Sequence, residues 1–590
     1  MEKSSVPLEE VTPVSVKSSE NDQIHCKDEV TTAPREDGIF AKEEETLSLD
    51  AQAGVLKMQA ATSVWSKSHI YIAYGLIWLI YFVVSLQELV IQSLNPYVTS
   101  SFSRHALTAA TGIMASIIGG LAKIPLAKIL DTWGRPQGMT LMLVIWIFGY
   151  IMMASCENVQ TYAAAQVFSS TGAQGISYCL TVFISDTTAL KSRSLMLAFA
   201  TSPYIITSWV GGPVAQKIVG PHGVGFRWGF GIFTICIPIV VGPLIALFLW
   251  NHRKARKLGL IGHTRVSLSP KSIRNYAIEV DLIGIIILAA GFALFLLPFS
   301  IYSYQPDKWR SPMIICMITF GGALIIFFGF YEKYLAPKTF IPFELLMDRT
   351  VFLAGMMFVF VFFNSIVWGS YFFSMLQVVW GLSIINASYV SAIYRVGSCF
   401  FAIFVGLAIR LTGRFKWIAV YFAIPMMMLG VGLMIHFRTA QSDIGYIIMT
   451  QIFVAFSGGT IVLCGEMAMM APSDHQHIAV ILAILNLFSS IGSAAGGTVA
   501  TAIWTSVFPQ KLKEYLPPDA PFADIYGSIV WQMVYERGSP TRVAIERAYA
   551  DAQRLMLVTS VCLLGGAFIC VALWRDINVK NIKQTKGHVI

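Results

Sequence analysis

The sequence predicts an all-α polytopic membrane protein, with two related six-helix bundles and two further helices inserted between them. Three observations carry that prediction. The first is composition: of 590 residues, 55% are hydrophobic and only 13% are charged, whereas a soluble domain carries roughly a quarter charged residues. The second is segmentation. A helix crossing a ~30 Å hydrocarbon core needs about 20 apolar residues. Fourteen stretches qualify: 70–93, 107–129, 138–156, 160–184, 194–217, 228–250, 280–301, 312–331, 350–374, 386–409, 417–437, 444–468, 478–505 and 555–574. The third is an internal echo. Residues 119–138, GGLAKIPLAKILDTWGRPQG, place Ala127, Asp131, Gly134 and Arg135 where segment two meets segment three; Gly406, Arg410, Gly413 and Arg414 in GLAIRLTGRFK repeat that spacing at one constant offset. A duplicated bundle produces such an echo.

Each region then takes its place. Residues 1–69 are polar and acidic, with Glu43, Glu44 and Glu45 in a row. They cannot bury a core and read as a disordered tail. Residues 70–250 form the first bundle, and 251–279 a loop with seven Lys/Arg and no acid in NHRKARKLGLIGHTRVSLSPKSIRNY. The inserted pair occupies 280–331, between Pro298 and Pro312 at its short turn; the second bundle covers 332–574, and 575–590 form a last tail. A long outer loop spans about 506–554, with helical spacing over Thr541–Arg554. Bases collect on cytoplasmic loops. The 251–279 loop, both echoed turns and Arg575, Lys580, Lys583 and Lys586 fall on one side for any even number of spans, while 375–388 carries no charge. Both termini are therefore predicted to be cytoplasmic. The net charge of +9 comes mainly from these loops and gives no reason to expect nucleic acid.

No phosphate-binding loop, GxSxG or HExxH is present, so neither an enzyme nor an ATP-driven pump is expected. The nine cysteines lie singly, so no disulfide framework, protein-built metal site or cofactor is predicted. A secondary transporter remains.

The echoed turns have the logic of a gate. Gly134 and Gly413 permit tight returns, and Ala127 allows close helix approach. Asp131 and Arg135 can hold charges or helix ends across that face in one conformation and release them in another. Asp186, in the turn after segment four, is either a partner of Arg135 or solvated charge; Arg410 and Arg414 belong to the second turn. Arg395 lies about nine residues into segment ten, ~14 Å deep at 1.5 Å per residue. A base there costs about 2.5–3.5 kcal/mol, which calls for a cavity, a paired acid or an anionic ligand. Glu466, near the inner end of segment twelve, and Glu88, near the outer end of segment one, are candidates for proton coupling or else interfacial carboxylates. Lys123 reads as a base snorkelling to the inner face. Segment nine is aromatic, with Phe358, Phe360, Phe362, Phe363, Asn364, Trp368, Tyr371 and Phe372; segment one adds Trp78, Tyr81 and Gln87. These residues either line a cavity for a bulky cargo or pack against lipid and protein. Tyr526, Arg542 and Tyr549 are the outer-loop candidates. His475 and His477 are either proton carriers or exposed loop residues.

The turn spacing resembles the loop signature of the major facilitator superfamily, which ends Asp-x-x-Gly-Arg-Lys/Arg. Here Pro136 replaces the last base, Ala127 the usual glycine, and Arg410 the acid of the second copy. Longer strings are similar to the fungal siderophore–iron transporters: NPYVTSSFSRHALTAATGIMASIIGGLAKIPLAKILDTWGRPQG, FFSMLQVVWGLSIINASYVSAIYRVGSC, AIRLTGRFKWIAVYF, VGLMIHFR, AIWTSVFPQKLKEYLP, GSPTRVAIERAYADAQR and WRDINVKNIKQTKG. That resemblance implies a proton-coupled, fourteen-helix importer of ferric hydroxamate-type siderophores. Its partners would be the ferric siderophore, protons and the bilayer, with iron carried only inside its chelate. Residence in the plasma membrane or in endosomal vesicles is implied equally. SWVGGPVAQK keeps Gly211, Gly212 and Pro213 of the drug-exporter signature but lacks its second glycine pair, which speaks against export. Glutathione–proton or drug–proton antiport stays open as an alternative, as does a non-transporting siderophore sensor.

Overall fold

Helices begin and end where apolar runs meet capping residues. The computed structural model of the chain describes residues 65–581, apart from 103–110, 133, 189, 221–222, 259–273, 275–276, 279–280, 299–301, 303–304, 338–346 and 473–477. The helices of the first half are α1 (Lys67–Ser101), α2 (Thr111–Thr132), α3 (Arg135–Ala154), α4 (Val159–Thr187), α5 (Leu190–Thr201), α6 (Pro203–Val219) and α7 (Phe226–Lys257). Next come α8 (Leu282–Leu296) and α9 (Pro312–Tyr334). The second half has α10 (Arg349–Gly369), α11 (Phe372–Val378), α12 (Ile384–Thr412), α13 (Lys416–Phe437), α14 (Ile444–Met470), α15 (Ile478–Tyr515), α16 (Phe522–Gly527), α17 (Ile529–Val534) and α18 (Pro540–Ala572). Side-chain oxygens take up free N–H groups at several starts: Asn158 accepts from Thr161 N at 2.7 Å, Asp443 from Gly445 N at 2.7 Å, and Asp348 from Thr350 N at 2.8 Å. Proline follows Ser311 and Ser539 at the first helical position, where its missing donor costs nothing.

In each of the fourteen predicted segments the described residues are mainly helical, and no strand occurs among the described residues. Eleven helical spans are long and apolar enough to cross a bilayer. The other three predicted segments lie on a shorter apolar stretch of α2, on α8, and on the α5–α6 pair. The predicted loop over 506–554 is itself largely helical: α15 runs on to Tyr515 and α18 starts at Pro540, with the short α16 and α17 between them. Residues such as Lys511, Lys513 and Glu514 are good helix formers and carry the helix beyond the apolar stretch.

Within the first half, α3 packs on α4 and α7, α2 on α4, and α1 on α6 and α7. Within the second, α10 packs on α15 and α18, and α14 on α12 and α13. The halves meet along two seams: α2 against α15, and α12 against α5 and α6. Since the echoed turns end α2 and α12, the seams are the same contact with the halves exchanged. The inserted pair packs on itself, and α8 reaches both α2 and α15, flanking the first seam. Small residues set the closeness. A Cβ on Gly120 would lie 2.3 Å from Ser490 Cβ, and one on Gly406 would lie 3.2 Å from Leu195 Cα.

The second turn is tied to the last described residues. Val579 N donates to Gly413 O at 2.9 Å, Lys416 Nζ to Trp574 O at 2.6 Å, and Trp417 Nε1 to Asp576 at 3.3 Å. The short turn Val579–Asn581 also touches α5 of the other half. Gly413 has φ +75°, and a Cβ there would sit 2.3 Å from Asn578 Oδ1. Gly413→Ala is therefore expected to cost about 1–2 kcal/mol. The variant should unfold at lower temperature than the parent and expose 574–581 to limited proteolysis; an unchanged cleavage pattern would mean that the tail does not depend on this turn.

Candidate transport site

Two helices carry polar stripes through otherwise apolar spans. Gln174, Ser177, Tyr178 and Thr181 on α4 follow i, i+3, i+4, i+7, and so do Asn486, Ser489, Ser490 and Ser493 on α15. That spacing puts each set on one helix face. In a membrane such groups must be satisfied inside the protein, and both stripes border space between the halves. One cavity of about 220 Å³ is lined by the α4 stripe with Tyr81, Glu88, Lys123, Tyr204, Glu466 and Asn486. A second, of about 260 Å³, is lined by the α15 stripe with Ser116, Phe358, Phe362 and Val462. Lys123, Gln174, Glu466, Leu485 and Asn486 border both cavities. The two are lobes of one site with those residues at the waist.

Charge in this site is distributed unevenly. Arg395 Nη1 on α12 lies 3.4 Å from Glu88 Oε2 on α1, an ion pair between the halves. Tyr204 donates to the same carboxylate at 3.1 Å, and the Arg395 guanidinium stands 5.4 Å from the Tyr204 ring centre. The pair is 27% and 42% exposed, so its attraction is worth about 1 kcal/mol or less and is weak enough to separate. Lys123 is buried, and its Nζ donates to Asn486 Oδ1 at 2.7 Å.

Several sequence expectations change. Lys123 does not snorkel; it crosses to α15 at the waist. Glu466 and Glu88 were expected towards opposite membrane surfaces, yet both line one cavity. Helix α1 continues to Ser101, well past the predicted end at 93, which brings Glu88 away from the helix terminus. Tyr81 lines the cavity and donates to Ser177 O at 3.4 Å. Gln87 is buried but outside the lining of either lobe. Asn364, Trp368 and Tyr371 are packed inside the second half. Asn364 accepts from Ser560 Oγ and donates to Met427 Sδ at 3.6 Å. Trp368 meets Tyr394 and Phe372 edge-on. Tyr371, at φ +58°, stacks on Trp504 at 4.0 Å. From this helix, Phe358 and Phe362 line the second lobe, one turn apart on one helix face.

The outer-loop candidates build the loop itself. Arg542 donates to Val378 O at 2.6 Å and to Gln532 O at 2.5 Å, closing the carbonyl end of α11. Tyr549 donates to Gln532 Oε1 at 2.8 Å, and Tyr526 stacks on Phe522. At the first turn, Arg135 Nη2 meets Asp186 Oδ2 at 3.0 Å, with both groups buried, and its Nη1 donates to Leu130 O at 2.8 Å. Gly134 has φ +115°. Asp131 belongs to the last turn of α2, its side chain outside the described residues, as are His475 and His477. Arg414 pairs with Asp576 at 3.7 Å, and Arg410 is exposed on the last turn of α12. The waist residues Gln174 and Asn486, the serine stripe and Tyr204 were not anticipated, although the i, i+3, i+4, i+7 spacing of polar residues signals the two stripes.

Residues 77–308 match the model of the Major Facilitator Superfamily. The chain is 53% identical over 560 residues to MFS siderochrome iron transporter 1 of Ajellomyces capsulatus, covering 94% of this chain and 95% of that protein. It is 41% identical to MFS siderochrome iron transporter D of Aspergillus fumigatus, covering 91% and 90%. Siderophore iron transporter mirB of Emericella nidulans is 38% identical, covering 92% and 90%. Among solved structures, a bacterial homologue of the human lysosomal transporter Spinster, inward-facing and occupied, superposes with a TM-score of 0.51 at 15% identity. That likeness covers 86% of this chain and 97% of the other, and it is one of fold. With sequence identity extending over nearly its whole length, the chain belongs to the fungal siderophore–iron transporters of the major facilitator superfamily.

Proposed function

We propose that this protein imports ferric hydroxamate-type siderophores together with protons, by alternating access to the cavity between its halves. The observation that carries the proposal is the two-lobed polar site at the seam, whose wall residue Glu88 is ion-paired to Arg395 of the other half. Hydroxamate oxygens already satisfy the iron, so the protein needs hydrogen-bonding and aromatic surface and no metal ligand or cofactor of its own. The stripes on α4 and α15, with Tyr81, Tyr204, Phe358 and Phe362, supply that surface. The lobes, of about 220 and 260 Å³, are each smaller than the ~300–1,000 Å³ of a ligand pocket and are divided by the waist side chains, so a bulky chelate spans them only when the halves move apart.

The halves touch at both ends. At the end with the outer loop, Tyr97 donates to Gln377 at 2.5 Å and Ile529 N to Ser100 Oγ at 3.3 Å. At the end with the echoed turns, Ser194 Oγ donates to Gly406 O at 3.4 Å. Rocking breaks one set while keeping the other. The buried Arg135–Asp186 pair, with Asp131 and Gly134, gates the turn end, and Arg410, Gly413 and Arg414 are its counterpart. Glu88 faces Arg395 and Tyr204, with Lys123 and Glu466 on the other walls. Protonating Glu88 removes the negative charge that holds Arg395 and frees α1 from α12; Glu466 is the second candidate for the proton. The termini lie in the cytoplasm, and the membrane is that of the cell surface or of endosomal vesicles.

The direct measurement is uptake of iron-labelled hydroxamates by cells that lack transporters of their own. Accumulation abolished by a protonophore is expected. Proton-dependent glutathione or drug efflux without uptake would establish antiport instead, and binding without accumulation would establish a sensor. Glu88→Gln should remove the stimulation of uptake by external acid while the protein still reaches the membrane. If Glu88→Gln keeps the full acid response and Glu466→Gln loses it, the proton site moves to α14.

A further inference from the structure

We propose that Lys123 is the residue that reads the charge of the cargo, giving the site a preference for ferric chelates that carry a free carboxylate. The inference rests on the siderophore transport proposed above. Arg395, the deepest base in the sequence, has its charge matched by Glu88 at 3.4 Å. Lys123 is different. Its ammonium is buried, and its acceptor is the neutral amide oxygen of Asn486 at 2.7 Å. Among the described residues no carboxylate lies within 4 Å of its Nζ, and no second hydrogen-bond acceptor is in reach.

An ammonium carries three donors, so two remain for whatever enters the waist. Burying a base in a membrane protein is costly and marks ion or substrate pathways when the charge faces a cavity. Lys123 borders both lobes, so a cargo spanning them passes its Nζ. Asn486 holds the lysine from α15 while Gln174 borders the same waist from α4. Asn486 donates one N–H to Leu482 O and Gln174 one to Ser170 Oγ, which leaves each amide one further N–H for a carboxylate beside the ammonium. Glu466, on the same waist, opposes an anion while ionised, so an acidic cargo enters best when that carboxyl is protonated. A lysine serving only to clasp α2 to α15 would support every cargo alike, because the clasp lies in the seam and makes no distinction among ligands.

The test compares two probes in transporter-deficient cells expressing the full chain: a neutral ferric trihydroxamate and a ferric hydroxamate with one free carboxylate. Competitive uptake gives the ratio of their apparent affinities. Lys123→Gln should shift that ratio against the carboxylate probe by about tenfold, the worth of one charged hydrogen bond. Lys123→Arg, which keeps the charge, should restore most of it. A ratio unchanged in Lys123→Gln, with both probes weakened equally at normal surface abundance, would overturn the proposal and leave Lys123 a clasp. Should Lys123→Gln fail to reach the membrane, Asn486→Asp supplies the same reading. It places a protein carboxylate on the ammonium and should shift the ratio in the same direction; an unchanged ratio there overturns the proposal as well. If the parent accumulates neither probe, the transport reading itself fails.

Discussion

Every polar group placed inside a bilayer must find its partner within the protein. That constraint organises this molecule. Lys123, Glu466, Gln174 and Asn486 lie on four different helices and border one space between the halves, where Lys123 bonds Asn486 across the seam. The same requirement acts on the backbone. Helix α10 breaks before α11, and the carbonyls left free at Gln377 and Val378 are taken by Arg542 from the outer loop. An irregular stretch is tolerated there because protein, rather than lipid, surrounds it.

The duplication repeats the contact between the halves. Because α2 and α12 hold equivalent places, the seam that α2 makes with α15 returns as the seam of α12 with α5 and α6. The copies also depart from symmetry. Ala127 stands opposite Gly406 in the repeat, and the glycine copy brings α12 against the backbone of α5. The inserted pair flanks one seam only, and residues 574–581 strap one turn only. The two seams are therefore not equivalent in what packs beside them.

Much of the fold was legible in the chain. Fourteen apolar segments, two echoed turns and the close approach at their small residues all have local causes: hydropathy length, a glycine at positive φ, a missing side chain. The candidate site was legible in part. Glu88, Arg395, Tyr81 and Glu466 stood out because charge or a hydroxyl inside a span is expensive; Glu88, Tyr81 and Glu466 line the cavity, and Arg395 is paired with Glu88. Asn364, Trp368 and Tyr371 stood out on an aromatic segment, and Arg542 and Tyr549 in the patterned outer loop; their contacts lie within the second half. Composition cannot separate these outcomes, since a buried amide or indole is satisfied equally well by a neighbouring helix or by a ligand.

Sequence alone determined the class of the protein, the positions of its helices and the existence of a repeat. These depend on transfer free energy summed along a segment and on turn chemistry within a few residues. Only the tertiary structure decided which polar residues meet. Lys123 and Asn486 lie 363 positions apart, and Glu88 and Arg395 lie 307 apart. Whether each charge is matched or left facing a cavity follows from how two bundles are laid against each other, and no local pattern encodes that arrangement.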